Sequence, residues 1–117
     1  MKTFKTIAAQ GEITIRRIDN LPDGLTPVEP VDGEFIVGHS ETGHHHVMTM
    51  EKAQFFAPEV MPAGMRVLYG ILDAPKELIH KRDFDTHEPI RHEPGMYEFR
   101  SGREFDHYAE LARSQAD

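Results

Sequence analysis

Nine glycines and eight prolines are spread along 117 residues, and they leave few uninterrupted stretches long enough for a multi-turn helix. Several of the pieces between them carry the two-residue period of strands. Glu12-Ile13-Thr14-Ile15-Arg16 alternates polar and apolar side chains, as a half-buried strand does. Gly33 to Gly38, His44 to Met50 and Gln54-Phe55-Phe56 read as further strands, the last ended by Pro58. Val67 to Leu72 is nearly continuously apolar and is expected to be the most buried strand. Leu78-Ile79-His80 and Pro89 to His92 are two shorter candidates. Met96 to Phe105 puts Tyr97 and Phe99 on one face, with a bulge or turn expected at Ser101-Gly102. Leu21-Pro22-Asp23-Gly24-Leu25 has the chemistry of a turn.

Only the last residues have a helical period: Tyr108, Leu111 and Ala112 fall on one face from Asp106 onward. The pattern therefore predicts a mostly β chain, a small compact sandwich or barrel with a short C-terminal helix. Residues 1–117 are expected to form a single domain, since no linker, repeat or low-complexity tract interrupts them.

Composition narrows the chemistry. There is no cysteine, so disulfides and thiolate metal sites are excluded, and any metal must be held by imidazole and carboxylate. Thirteen basic against twenty acidic residues give a net charge of −7, which argues against a direct electrostatic grip on nucleic acid. No apolar run is long enough for a membrane-spanning helix, and Met1 to Lys5 leads into no signal-like stretch, so membrane insertion and secretion are not expected. No P-loop, nucleophile elbow or dinucleotide fingerprint is present.

The unusual feature is histidine, eight in all and three consecutive at His44-His45-His46. On an extended strand His44, His46, Met48 and Met50 share one face, so His44 and His46 could aim two imidazoles at one ion. Imidazole suits zinc, iron, nickel or copper, and the ion expected is a divalent transition metal such as zinc, iron, nickel or manganese. His80, His87, His92, Glu41 and Asp85 are the candidates for a further ligand. Gly38, His44, His46 and Glu51 also follow the spacing of the first cupin motif, although Pro58 stands at its next glycine. Pro62-Ala63-Gly64 begins the second cupin motif, with Val67 where its histidine belongs. Against these stands a plainer possibility, that the histidines serve structure or an interface. The charged run from His80 to Pro89 is either a loop carrying His87 and Asp85 towards the cluster or a solvated loop of weak ion pairs.

The string Ile36-Val37-Gly38-His39-Ser40-Glu41-Thr42-Gly43-His44-His45-His46-Val47 resembles the hallmark of a small family of short bacterial and phage or prophage proteins. The likeness extends to Gln10-Gly11-Glu12 and Leu21 to Val28, and to Asp85 to Ile90, Pro94 to Phe99 and Gly102 to Phe105. It implies a virion or assembly component rather than a metabolic enzyme, and the recurrence of His44, His46, His87, Pro89 and Ile90, while His92 falls at an apolar position of the family and so is not counted as a ligand. The expected role is a non-enzymatic capsid decoration (cement) protein. Its partners would be capsid or other virion subunits, in repeated copies or as a homo-oligomer. The location would be the virion if phage-encoded, otherwise the cytoplasm. Two alternatives stand beside it. One is a cupin-like metal protein or enzyme using His44, His46, His87 and Glu51 with zinc, iron, nickel or manganese. The other is an adaptor that binds a protein partner along a strand edge.

Overall fold

The structure is a computed structural model that describes residues 3, 5–10, 12–38, 45–61, 64–81 and 89–102. Among the described residues ten strands follow one another: β1 (Ile7–Gln10), β2 (Ile13–Ile18), β3 (Leu25–Val28), β4 (Glu34–Gly38), β5 (His46–Thr49), β6 (Ala53–Pro58), β7 (Met65–Leu72), β8 (Lys76–His80), β9 (Ile90–His92) and β10 (Gly95–Gly102). They form a larger sheet in the order β1-β2-β10-β7-β6-β3 and a smaller one in the order β4-β5-β8-β9. Every pairing is antiparallel. The chain is thus a mostly β sandwich, and the apolar alternation read from the sequence is what splits each sheet into an inner and an outer face.

The expected strands are present, with β7 next to β10 in the middle of the larger sheet. Val67, Leu68, Tyr69 and Leu72 of β7 are buried. At Ser101-Gly102 the structure differs from expectation, because pairing with β7 runs without a break to Gly102 opposite Met65. The irregularity lies instead in β4, where the register shifts between Ile36 and Gly38. β1 and β3 are additional strands. β3 includes Pro27, which an edge strand tolerates because one side of it needs no ladder hydrogen bond. The predicted C-terminal helix lies outside the described residues.

Asp32 and Gly33 both have positive φ (51° and 80°), between Val31 and Glu34, which exchange backbone hydrogen bonds of 2.7 and 3.0 Å. This is the two-residue turn favoured by Asp-Gly, and it closes an isolated bridge where the chain passes from β3 of the larger sheet to β4 of the smaller one. Aromatic rings then run through the core from one sheet to the other. Phe35 of β4 meets Phe55 of β6 at 4.8 Å between centroids, and Phe55 meets Phe99 of β10 at 5.4 Å. Both pairs are tilted, a favourable arrangement worth about 0.5–1.5 kcal/mol beyond area burial. Gly70 leaves room for them: a Cβ there would lie 3.0 Å from Phe55 and 3.2 Å from Phe99.

Candidate functional site

One end of the sandwich carries the polar groups of interest. On the inner face of the larger sheet, Gln10, Ile13, Ser101 and Arg66 are neighbours across β1, β2, β10 and β7. On the smaller sheet, Gly38, His46 and His80 are neighbours across β4, β5 and β8. The two rows meet. Gln10 donates from Nε2 to the Leu78 carbonyl at 2.9 Å, which fixes the direction of its amide. Its Oε1 therefore accepts from His46 Nδ1 at 2.8 Å. In neutral His46 this makes Nδ1 the protonated nitrogen and Nε2 the basic one. Both Gln10 and His46 are buried, so the bond is a link between sheets away from water.

His80 stacks on His46 with centroids 3.9 Å apart and planes 14° apart. Stacked rings carry their lone pairs side by side rather than convergent, so this placement does not itself make a chelating pair. Arg66 donates to the Ile36 carbonyl at 3.1 Å, a second tie between the sheets. Partial burial lowers its pKa from the usual arginine value.

Of the predicted ligands, His46 is in this layer, facing inward like Met48. His44 and His87 lie outside the described residues, as do Glu41 and Asp85. Glu51 is in the turn beyond the other end of β5, with Lys76 Nζ 3.9 Å from its carboxylate. A backbone hydrogen bond, reinforced by Thr49 and Lys76, lowers its pKa. The length of β5 thus separates Glu51 from His46, and among the described residues His80 is brought beside His46. Among the described residues no three histidine, aspartate or glutamate side chains converge as a metal-binding group. His92 is enclosed in the aromatic core, stacked on Phe99 at 5.6 Å and edge-on to Tyr97 at 4.8 Å. Its Nδ1 donates to the Ile90 carbonyl at 3.1 Å, and burial pushes its pKa down to about 4.

Sequence reasoning did not single out Gln10 or Glu98. Glu98 is buried on the outer face of the larger sheet, held by Arg100 Nε at 2.8 Å and Arg16 Nη2 at 3.3 Å, with the Tyr69 hydroxyl at 3.4 Å. The alternation of Met96 to Phe99 does place Glu98 opposite Tyr97 and Phe99 in the pleat. Only the register shows that Arg16 and Tyr69 flank it on the neighbouring strands.

The family model of a domain of unknown function, DUF8820, matches residues 9–102. The chain belongs to the DUF8820 family. No curated protein and no solved structure matches it. The match takes in nine of the ten described strands completely and enters β1 at Ala9, so this DUF8820 domain includes the Gln10–His46 link.

Proposed function

We infer that this DUF8820 chain is a non-enzymatic structural protein of a phage particle, of the capsid-decoration type. The observation that carries the reading is the Gln10–His46 link with His80 stacked upon it. At these positions, polar side chains that could be displayed to a substrate are spent on fastening one sheet to the other. A rigid sandwich with large apolar side chains exposed at its turns, such as Val60 (83% exposed), suits a protein that works by docking. The resemblance of the 36–47 segment to short phage and prophage proteins supplies the setting, and the charge of −7 suits a basic docking surface. The test is mass spectrometry and cryo-electron microscopy of particles purified from a host that encodes the chain. The expected result is a fixed ratio of this chain to the major shell subunit and regular density on the shell. Its absence from purified particles would overturn the reading.

One observation favours a second reading, a transition-metal site built on His46. Metal-ligating histidines commonly donate their other ring nitrogen to an oxygen acceptor, and Gln10 Oε1 fills that role for His46. His44 and His87 are the other sequence-derived ligands that could join it, for zinc, iron, nickel or manganese, whereas Glu51 lies beyond the far end of β5. Elemental analysis of purified chain tests it. A stoichiometric metal lost in His44→Ala supports the site, and metal-free protein after incubation with each ion sinks it.

A further inference from the structure

A sandwich with two open sheets has four edges, and natural proteins protect such edges against unwanted pairing. Among the described residues the four edges are β1, β3, β4 and β9, and three of them carry a protective device. β3 contains Pro27, which cannot donate to a new ladder. β4 is interrupted by the register shift between Ile36 and Gly38, and its Glu34 is ion-paired with Lys81. β9 is three residues long, with Arg91 at its centre paired to Glu93 at 3.0 Å. β1 is different: Ile7-Ala8-Ala9-Gln10 has no proline, no charge and no bulge, and Ile7 is 64% exposed.

The direction of its backbone groups follows from one hydrogen bond. Arg17 N donates to Thr6 O at 2.8 Å, which makes Thr6 and Arg17 a hydrogen-bonded pair in the antiparallel ladder. Such pairs alternate, so Ala8 and Gln10 point their backbone groups at β2. Ile7 and Ala9 point theirs outward, away from β2.

We propose that the β1 edge is a strand-addition site for a second copy of this chain, pairing antiparallel about a two-fold axis at Ala8. This reading does not depend on the phage setting. In that register Ile7 of one copy faces Ala9 of the other. Both residues have outward backbone groups, so the donors and acceptors of the two edges satisfy each other. On the outer face a large side chain meets a small one, and Ala8 meets its own copy on the inner face. The charges also match. Antiparallel alignment brings the Lys5 end of each β1 towards Glu12 of the other copy, a favourable contact between two chains that each carry −7 overall. A partner with a different sequence would need all these matches independently, whereas the two-fold supplies them from one strand. An edge this short gives association in the micromolar range, about 1–100 μM.

Sedimentation velocity of the full chain across that concentration range is the test, combined with amide exchange. The wild-type chain is expected to dimerise, with the Ile7 and Ala9 amides exchanging more slowly as concentration rises. Ala9→Pro removes an outward donor without touching the β1–β2 ladder, and Ile7→Lys adds a charge at an exposed site. Each is expected to weaken association at least tenfold with an unchanged far-ultraviolet circular dichroism spectrum. Lys5→Glu weakens the dimer as well, and adding Glu12→Lys restores it. A wild-type chain that stays monomeric throughout, a dimer indifferent to Ala9→Pro and Ile7→Lys, or a charge exchange that fails to restore pairing overturns the proposal.

Discussion

Ile13 of β2 fills the space that a side chain at Gly38 of β4 would need. A Cβ built on Gly38 would lie 2.9 Å from Ile13 Cγ1, and closer still to its terminal methyl. Gly38 follows the register shift in β4 and pairs with His46, so it cannot withdraw without disturbing the Gln10–His46 link. Gly38→Ala is expected to cost ~1–3 kcal/mol, the usual penalty of overpacking a closed core. Urea denaturation measures it. Adding Ile13→Val, which removes the nearest methyl, should recover part of the loss, and a neutral Gly38→Ala would show that the sheets separate easily there.

Gln10 joins β1 to both His46 and the Leu78 carbonyl, and no apolar replacement can do either. Gln10→Leu keeps much of the volume but leaves a buried imidazole N–H and a buried carbonyl without this partner. The expected loss is ~2–4 kcal/mol, since each unsatisfied buried group costs about 1–3 kcal/mol. Long-range nitrogen–proton correlation spectra of neutral His46 give a second readout. They should show the proton on Nδ1 in the wild type and lose that preference in Gln10→Leu.

His92 makes stability depend on pH in a defined direction. Its pKa falls from 6.5 to about 4 on folding, mainly through burial, so below pH 6.5 the unfolded chain takes up a proton that the folded chain refuses. The contribution is fully present above pH 6.5 and is lost as pH falls towards 4. The slope approaches 1.4 kcal/mol per pH unit for one proton, and the total is on the order of 3 kcal/mol. His92→Phe keeps an aromatic ring beside Phe99 and Tyr97 and removes the titrating group. Denaturation midpoints between pH 7 and 4 should therefore fall less steeply in the variant, and parallel profiles would assign the acid sensitivity elsewhere.

The parts of this fold legible in the sequence are those where one side chain type decides a face. β2, β7 and β10 announce themselves because Ile13, Ile15, Leu68, Tyr97 and Phe99 all point at one core. β1 was silent because alanine is a weak strand signal and its inward Gln10 is polar. β3 was hidden by Pro27, which is tolerable only at an edge, and no local pattern shows where an edge will fall. The site was half legible for a similar reason. Spacing along one strand identified His46, but Gln10 and His80 come to it from strands paired or stacked at long range. Glu51 matched a spacing whose two ends the strand holds apart.

Glu98 serves two arginines from beneath, and the two are not equivalent. Arg100 approaches through Nε at 2.8 Å and again through Nη2 at 3.5 Å, whereas Arg16 makes one contact at 3.3 Å. Both guanidinium groups are about half exposed, with 45% and 53% of their side-chain surface accessible, so water replaces much of what either loses. Arg16→Ala is therefore expected to cost less than about 1 kcal/mol, and Arg100→Ala about 1–2 kcal/mol. Removing both leaves a buried carboxylate with, among the described residues, the Tyr69 hydroxyl, and the cost should rise to ~3–5 kcal/mol, more than the singles combined. A double-mutant cycle by chemical denaturation reads the excess directly. Additive losses would mean that each arginine contributes only packing over the sheet, with Glu98 solvated well enough to need neither.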